Sequence, residues 1–335
     1  MEMFSASFHQ KLTEANSSFQ ATDTYAQSVV ISVERGMEEC KHQFLWEPWG
    51  CPKSSFSIFS RSNKNPATKE MAFLHAMISS SIVITLTRNC SQGDFKSCGC
   101  DVSKKGGMAG YKGWHWGGCS DHVKIGNRMA KHFLDNKENG RDIRALINLH
   151  NNRVGRMVVK KNMRRMCKCH GVSGSCEMQT CWMRVQDIRT IGDRLKEAYN
   201  NAQLFSSNSN GYNIPTIQMR RLDNSIPQLQ TPEKLKIPKQ QLAYLDLSPN
   251  YCIANESLGI PGTIGRICSK EDGKRISKAE KKSCRTLCRK CGHRVSIKNT
   301  VIERTCKCKF HWCCNVKCKT CVDQVTQYTC AAREH

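Results

Sequence analysis

The stretch from Cys167 to Trp182, which reads CKCHGVSGSCEMQTCW, has residue types at a spacing that could do chemistry. Cysteines bracket the segment HGVSGS on both sides, at positions Cys167, Cys169, Cys176 and Cys181. Two cross-links between them would join two strands and hold one small hydroxyl group, that of Ser173, at the apex. A tip of this kind could present a chemical group to another molecule.

A nucleophilic role for Ser173 is the first interpretation to test. The nucleophile elbow of hydrolases has glycine two residues after its serine, whereas this chain has Ser175 there. His170 is close in sequence, but no Asp or Glu is positioned to complete a catalytic triad. A serine at a doubly cross-linked tip is better suited to modification by another enzyme, so we predict no catalytic residue and no enzymatic activity.

The cysteine count and the charge restrict the class of protein. The chain has 22 cysteines among 335 residues, an even number that makes eleven disulfides the leading hypothesis. Its formal net charge of +24 indicates a polyanionic partner such as nucleic acid, an anionic membrane or a sulfated glycan. Oxidised cysteines favour the extracellular choice among these partners.

A zinc-binding, nucleic-acid-associated protein is the alternative that clusters such as CRTLCRKCGH and CKCKFHWCCNVKCKTC suggest. Structural zinc sites usually have paired cysteines two to four residues apart with a long loop between the pairs, whereas here the spacings are mixed. We therefore predict no metal and no nucleic acid partner. One local basic cluster is either a solvated helix end or a site for sulfated glycan: Lys160, Lys161, Arg164, Arg165 and Lys168.

Periodic apolar residues predict a helical bundle in the first two hundred residues. One helix carries Leu146 and His150 on its apolar face, and we expect His150 to pack in the core instead of binding a ligand. A further helix should begin at a cap formed by Ser120 or Asp121 and end near Asn136. The helix that carries His150 covers residues 141–163, and the other predicted helices cover residues 25–37, 67–88 and 185–199.

The sequence shows neither a membrane span nor a secretory signal. The most apolar window, Met71–Leu86, has 16 residues and includes His75, so we predict that it is too short and too polar to cross a membrane. The first twenty residues lack a positive segment followed by an apolar one. This observation conflicts with the extracellular location that the cysteines favour.

The rest of the chain divides into a linker and a small cysteine-rich domain. Residues 203–250 have no cysteine and hold five of the nine prolines, which is typical of a linker. Twelve cysteines follow between Cys252 and Cys330, in a segment so poor in core residues that cross-links must hold its hairpins together.

Cys313 and Cys314 are adjacent, and neighbouring Cα atoms lie only about 3.8 Å apart, below the usual disulfide range, so a bond between them would be strained. Either each pairs elsewhere or they belong to a rigid apolar tip of the kind that anchors binding interfaces. That tip would consist of Phe310, His311, Trp312, Cys313, Cys314 and Val316.

Glycosylation sequons occur at Asn16, Asn89 and Asn255, and the last two, near cysteines, are the better supported.

These motifs together resemble the Wnt family of secreted signalling ligands, in particular its subgroup numbered eight. The resemblance covers residues 24–330 and rests on CKHQFLW, NCSQGDFKSCGCD, GWHWGGCSDHV, NLHNNRVGR, CKCHGVSGSCEMQTCW and CKFHWCCNVKCKTC. It implies a disulfide-rich α+β fold: an N-terminal helical bundle with a cross-linked thumb hairpin, and a small C-terminal cysteine-rich β-hairpin domain. The implied organisation is an unassigned extension (1–23), a helical domain (24–202) with the thumb (167–182), a linker (203–250) and a C-terminal domain (251–335) with an index finger (306–321).

The resemblance also implies a function. Ser173 would carry a covalent mono-unsaturated fatty acyl group, added by a membrane-bound O-acyltransferase, and a lipid carrier would assist secretion. The chain would act in the extracellular space and matrix, where heparan sulfate is a further expected partner. Frizzled cysteine-rich domains and co-receptors of the LDL-receptor-related class would be its receptors. The implied Frizzled contacts are the finger tip named above and thumb residues His170, Gly171, Val172, Ser173 and Gly174.

The family pattern further implies a partner for every cysteine. In the first domain it pairs Cys40 with Cys51, Cys90 with Cys98, Cys100 with Cys119, Cys167 with Cys181, and Cys169 with Cys176. In the second it pairs Cys252 with Cys291, Cys268 with Cys284, Cys288 with Cys330, Cys306 with Cys321, Cys308 with Cys318, and Cys313 with Cys314.

Overall fold

A computed structural model describes residues 23–55, 66–103, 114–136, 143–207, 213–215, 238–274 and 276–333. The chain forms two compact units. The first comprises Met1–Gln43 and Phe56–Ser248, and the second comprises Phe44–Ser55 and Pro249–His335. Almost all of the predicted N-terminal extension, including the sequon at Asn16, lies outside the described residues.

The described part of the first unit contains α-helices where the apolar periodicity predicts them: α1 Asp23–Gln43, α2 Lys69–Gln92, α3 Val123–Asp135, α4 Ile143–Lys161 and α5 Ile188–Asn200. Helix α2 lies at the centre of the unit. The Thr68 side chain caps its first turn by accepting a hydrogen bond from the Met71 amide, and Gly93 ends it in the left-handed conformation.

Helix α2 is longer than the predicted window. Its 24 residues would suffice to cross a membrane by length and composition, but the whole of its apolar segment is buried inside the protein. It is therefore the core helix of this unit, and its burial, not its length, argues against a membrane span.

Close approach of main chains holds α2 against α4. A Cβ atom on Gly155 would lie 2.0 Å from the carbonyl oxygen of Ala76, so only glycine fits there. Ser79 and Ser80, both buried, donate hydrogen bonds to the carbonyl oxygens of Asn152 and Gly155 at 2.9 Å. The polar side chains of α2 thus satisfy acceptors on its neighbour instead of facing water.

Some details of the predicted helices were wrong. Neither Ser120 nor Asp121 caps α3, because His122 occupies the cap position without a side-chain hydrogen bond. Leu146, expected in the core, is 45% exposed. His150 is only partly buried and makes a 2.8 Å hydrogen bond with the carbonyl oxygen of Gln241. That contact anchors the chain near the end of the predicted linker.

Both ends of the predicted linker are built into the first unit. Strand β4 (Gln203–Ser207) pairs antiparallel with β5 (Asn213–Pro215) and parallel with β6 (Ala243–Tyr244). The Asn151 side chain makes two hydrogen bonds to the main chain of Ala243, at 2.9 and 3.0 Å. Arg144 forms a two-pronged ion pair with Asp246. The boundary between the units consequently falls after Ser248.

The second unit is a small cross-linked domain. It contains β7 (Ile267–Cys268), the short helices α6 (Lys278–Lys281) and α7 (Ser283–Leu287), and the long strands β8 (Arg294–His311) and β9 (Asn315–Ala331). The antiparallel sheet has the order β7-β9-β8. Disulfide sulfurs form much of its core, which consists of Cys268, Cys284, Leu287, Cys288 and Cys330.

The segment Phe44–Ser55 belongs to this second unit, although the predicted boundaries place it in the first domain. The Arg266 guanidinium donates hydrogen bonds to the carbonyl oxygens of Leu45 and Glu47, at 2.8 and 3.3 Å. Trp46 packs against the cysteine core. These contacts, which join residues more than two hundred positions apart, explain why the sequence did not reveal the boundary.

Candidate functional site

The predicted thumb, residues 167–182, belongs to a slightly longer hairpin, residues 164–184, which is called the thumb hairpin below. It consists of strand β2 (Arg164–Cys169), a turn, and strand β3 (Gln179–Arg184). The two strands pair antiparallel, and β1 (Trp114–Trp116) extends the sheet beside β3. Disulfides join Cys167 to Cys181 and Cys169 to Cys176, with Cα separations of 4.1 and 4.6 Å. The hairpin is therefore cross-linked once within its strands and once around its tip.

The turn between the two strands is tight and closed by main-chain hydrogen bonds. Its apex is a single 3₁₀ turn, Val172–Gly174, in which Ser173 has φ 57°, an uncommon value for a residue with a side chain. The Gly171 amide donates to the Ser175 carbonyl at 2.8 Å. A Cβ atom on Gly171 would lie 2.5 Å from the Ser175 carbonyl oxygen, which the main chain holds in place, so this position requires glycine.

The predicted thumb contacts lie together at this apex. His170, Val172, Ser173 and Gly174 are exposed, Gly171 is partly exposed, and the apolar Val172 side chain is 88% exposed. The His170 ring is engaged in a 2.9 Å contact with the Thr180 hydroxyl. The hydroxyl group of Ser173 thus projects from a fixed, solvent-exposed turn, where another enzyme could reach it.

The predicted index finger, residues 306–321, is the far end of a longer hairpin, residues 294–331, which is called the finger hairpin below. It consists of β8, a short turn and β9. Disulfides join Cys306 to Cys321 and Cys308 to Cys318, with a bulge between Cys306 and Lys309. The predicted apolar tip lies at its far end. Every member of the tip is exposed, with Trp312 at 94%, Phe310 at 69% and Val316 at 61%.

The predicted disulfide between Cys313 and Cys314 is absent from the structure. Both cysteines are exposed thiols with their Sγ atoms 4.0 Å apart. Both have positive φ, 71° and 79°. A disulfide between adjacent residues would be strained, because neighbouring Cα atoms lie only about 3.8 Å apart.

The remaining cysteines are disulfide-bonded. The structure joins Cys90 to Cys98, Cys100 to Cys119, Cys252 to Cys291, Cys268 to Cys284, and Cys288 to Cys330. Cys40 and Cys51 are buried and also disulfide-bonded. Within the described ranges, no group of three or more His, Cys, Asp or Glu residues could hold a metal ion. The zinc alternative therefore has no support.

The two described sequons differ in their surroundings. Asn255 is exposed and caps a 3₁₀ turn, where its side-chain oxygen accepts a hydrogen bond from the Leu258 amide. Asn89 lies within α2, is partly buried, and donates from its side-chain nitrogen to the Ser28 hydroxyl at 2.8 Å. Asn255 is thus the more accessible of the two glycosylation sites.

All five residues of the predicted basic cluster are exposed, and strand pairing adds residues that sequence reasoning missed. Arg184 lies directly opposite Arg164 in the β2–β3 register. Arg165 stacks over the ring of Trp114 at 4.6 Å. The signal that could have revealed Arg184 is the cysteine pairing, because a cross-link between Cys167 and Cys181 fixes the register three residues away.

The protein thus has a disulfide-rich α+β fold with two cross-linked hairpins whose tips are exposed. A model of the Wnt family matches residues 9–331. The chain belongs to the Wnt family, whose members are signalling ligands and not enzymes. It is 45% identical to Wnt-8a of Danio rerio over 310 residues, which cover 92% of this chain and 84% of that protein.

Two further comparisons agree with this assignment. Wnt-8 of Xenopus laevis is 45% identical over 312 residues, which cover 93% of this chain and 85% of that protein. The structure of human WLS in complex with WNT8A contains a chain that matches with a TM-score of 0.67 and 39% identity. That match covers 93% of this chain and 96% of the other.

Proposed function

We propose that this chain is a secreted, lipid-modified ligand that activates Wnt signalling by binding the cysteine-rich domain of Frizzled receptors. Ser173 carries a mono-unsaturated fatty acyl group, transferred by a membrane-bound O-acyltransferase. The observation that carries this proposal is the position of Ser173, exposed at the apex of a turn that Cys169–Cys176 closes. Its hydroxyl is accessible to an enzyme, and its main chain is fixed.

The acyl chain provides much of the affinity in this scheme. Burial of each methylene contributes about 0.8 kcal/mol, so about ten methylenes in a receptor groove contribute roughly 8 kcal/mol. Nanomolar binding corresponds to about 12 kcal/mol, so protein contacts must supply the rest. Val172, exposed beside Ser173, would enter the same groove.

The finger tip supplies a second set of contacts. Trp312 and Phe310 expose large apolar side chains, and exposed apolar patches commonly mark interaction sites. Aromatic side chains on a cross-linked support lose little conformational freedom on binding and often dominate interface energetics. We assign protein-encoded receptor selectivity to this tip.

Other partners follow from the proposed lipid and from the charge. An exposed acyl chain requires a carrier during secretion, and the related human WNT8A has been solved in complex with WLS. Co-receptors of the LDL-receptor-related class complete the signalling complex. The net charge of +24 favours retention on heparan sulfate in the extracellular matrix.

Replacement of one hydroxyl tests the proposal, with a matched control two residues away. Cells expressing wild type, Ser173→Ala or Ser175→Ala are supplied with an alkyne-tagged mono-unsaturated fatty acid, and secreted protein is analysed by peptide mass spectrometry. We expect label on wild type and Ser175→Ala but not on Ser173→Ala. Affinity for a Frizzled cysteine-rich domain should fall by more than roughly a thousandfold for Ser173→Ala, because the acyl contribution is lost.

Two results would contradict the proposal. One is label retained on Ser173→Ala, which would place the acyl group on another residue. The other is unmodified wild-type protein that binds and activates the receptor as well as the labelled protein does.

A further inference from the structure

Two neighbouring thiols lie at the tip of the finger hairpin. All the cysteines are among the described residues, and Cys313 and Cys314 are the two that are free. The other twenty are disulfide-bonded, so these two have no cysteine partner in the chain except each other. Both are exposed, and their Sγ atoms lie 4.0 Å apart. Molecules from solution can therefore reach a pair of sulfurs at the same point.

The turn that carries the pair makes a bond between them weak. Strand β8 ends at His311 and β9 begins at Asn315, so Trp312, Cys313 and Cys314 form the whole connection. To form a disulfide, the Sγ atoms must approach to about 2.0 Å while the adjacent Cα atoms stay about 3.8 Å apart. Strained or exposed disulfides are reduced more readily than structural ones. A bond at this position would thus open under conditions that leave buried disulfides intact.

The charges around the turn are all positive. Residues 304–322 include no Asp or Glu, and Lys309 lies directly opposite Lys317, two residue pairs below the last pair of the hairpin. Like charges directly opposite on two strands repel each other, and both lysines are exposed. Their field attracts small anions to the tip and repels cations. A negatively charged reactant therefore reaches the two thiols faster than a positively charged one.

We propose that Cys313 and Cys314 form a redox-active dithiol that exchanges with small anionic disulfides, a class that includes oxidised glutathione. One cysteine, as the thiolate, attacks a sulfur of the small disulfide, forms a mixed disulfide and releases one small thiol. The neighbouring cysteine then attacks the cysteine sulfur of the mixed disulfide, releases the second small thiol and closes the Cys313–Cys314 bond. Two cysteine thiols thereby lose two electrons and two protons, which the small disulfide gains as it becomes two thiols.

The structure and the family pattern then describe two states of one pair. The free thiols are the reduced state, and the bond that the family pattern implies is the oxidised state. Two molecules of the small thiol return the oxidised pair to the reduced one by the reverse reaction. The exchange goes beyond the proposed function and needs neither a receptor nor an acyl group.

One consequence of the exchange does rest on the proposed function. Trp312, which we assign to receptor contact, directly precedes Cys313, and a ring closed across the next peptide bond restricts the main chain of the turn. An anchor that is already restricted loses less conformational freedom on binding. The oxidised form should therefore bind a Frizzled cysteine-rich domain about threefold more tightly than the reduced form.

Equilibration in glutathione buffers tests the exchange in full-length secreted protein. Samples at a series of reduced-to-oxidised glutathione ratios are alkylated and digested with trypsin, which cuts after Lys309 and Lys317. The peptide released, FHWCCNVK, contains no other cysteine. We expect it to pass from two alkylated thiols to none as the oxidised fraction rises, while the other twenty cysteines stay unalkylated throughout. Cys313→Ser/Cys314→Ser should show no alkylation at any of these ratios.

Three results would overturn the proposal. The first is a pair that keeps the same state, thiol or disulfide, at every ratio. The second is a pair that opens only together with the other disulfides. The third is a mixed disulfide that persists as the final product, because the second cysteine would then not complete the exchange.

Matched charge variants test the preference for an anionic disulfide. Lys309→Gln/Lys317→Gln removes the lysines below the turn, whereas Lys278→Gln/Lys282→Gln removes two exposed lysines elsewhere in the second unit. Rates of thiol loss are followed by intact mass, with anionic oxidised glutathione or cationic cystamine as the oxidant. The first variant should react with oxidised glutathione at least about threefold more slowly than wild type but no more slowly with cystamine, and the control should match wild type. Equal slowing in both variants, or with both oxidants, would contradict the role of these lysines.

Receptor affinity is measured separately on the oxidised and reduced forms. Equal affinities would refute the effect of the exchange on the tip. Absence of binding by both forms would count against the proposed function instead, and the exchange measured without a receptor would stand or fall on its own.

Discussion

Removal of the tip disulfide offers a sharp test of how the thumb presents Ser173. Cys169 and Cys176 are seven positions apart and enclose the whole turn, whereas Cys167 and Cys181 are fourteen apart and cross-link strands that are already paired. The two pairs are therefore separable by replacement of each with alanines. The comparison asks whether acylation depends on overall stability or on local order at the tip.

The two variants should rank in opposite orders for global stability and for local order at the tip. The chain-entropy relation assigns about 3.0 kcal/mol to the longer loop and about 2.4 kcal/mol to the shorter one, so global stability should fall more in Cys167→Ala/Cys181→Ala. Without the shorter cross-link, however, the tip is held by solvent-exposed hydrogen bonds, such as Gly171 amide to Ser175 carbonyl at 2.8 Å and the His170–Thr180 contact. A loss of about 2.4 kcal/mol in local order corresponds to up to about 60-fold fewer ordered tips.

The assay measures acylation per secreted molecule with an alkyne-tagged fatty acid, beside urea unfolding of the same samples. We expect Cys169→Ala/Cys176→Ala to lose most of its acylation, by up to about 60-fold, while Cys167→Ala/Cys181→Ala keeps the larger part despite lower stability. If acylation instead follows the unfolding midpoints of the two variants, the acyltransferase does not require an ordered tip. Our account of the thumb would then be wrong.

Three further outcomes are expected. Trp312→Ala should weaken Frizzled binding by about 30-fold, as is usual for a tryptophan anchor, without reducing secretion, because this side chain is 94% exposed. Burial lowers the pKa of His75 to about 4. The free energy of unfolding should therefore be highest above about pH 6.5 and lower by about 2 kcal/mol at pH 5. His75→Gln should flatten this pH dependence in urea titrations. Gly155→Ala should cost roughly 1–3 kcal/mol in the same assay, because its methyl group would meet the Ala76 carbonyl.

Each of these outcomes has a control. Val301→Ala removes an exposed apolar side chain from the finger hairpin away from its tip and should leave receptor affinity unchanged. A pH profile that stays steep in His75→Gln would assign the effect to another group. Gly99→Ala, where an added Cβ meets nothing within 4 Å, should be close to neutral, and equal destabilisation by both glycine variants would contradict the packing explanation.

Features that depend on local spacing are predictable from the sequence. The helices α1, α2 and α5 overlap the predicted ranges 25–37, 67–88 and 185–199. The thumb also follows from local sequence, because its cysteines and glycines lie within sixteen residues of one another. A short hairpin leaves few alternatives to the observed turn.

Features that depend on distant partners were not predictable in the same way. Arg266 recruits Leu45 to the second unit through a hydrogen bond between residues 221 positions apart. Asp121 has the residue type of a helix cap, but the distant Val185 amide competes successfully for its carboxylate. Leu146 fits an apolar stripe by periodicity, yet its side chain is 45% exposed.

The two hydrogen bonds between Asn151 and Ala243 have a practical consequence for engineering. They anchor β6 to α4, and the β4–β6 pairing anchors β4 beside it. The main chain near both ends of the predicted linker is therefore held by the first unit. An affinity tag or fluorescent reporter inserted between these two anchors would lie outside the sequence of both hairpins.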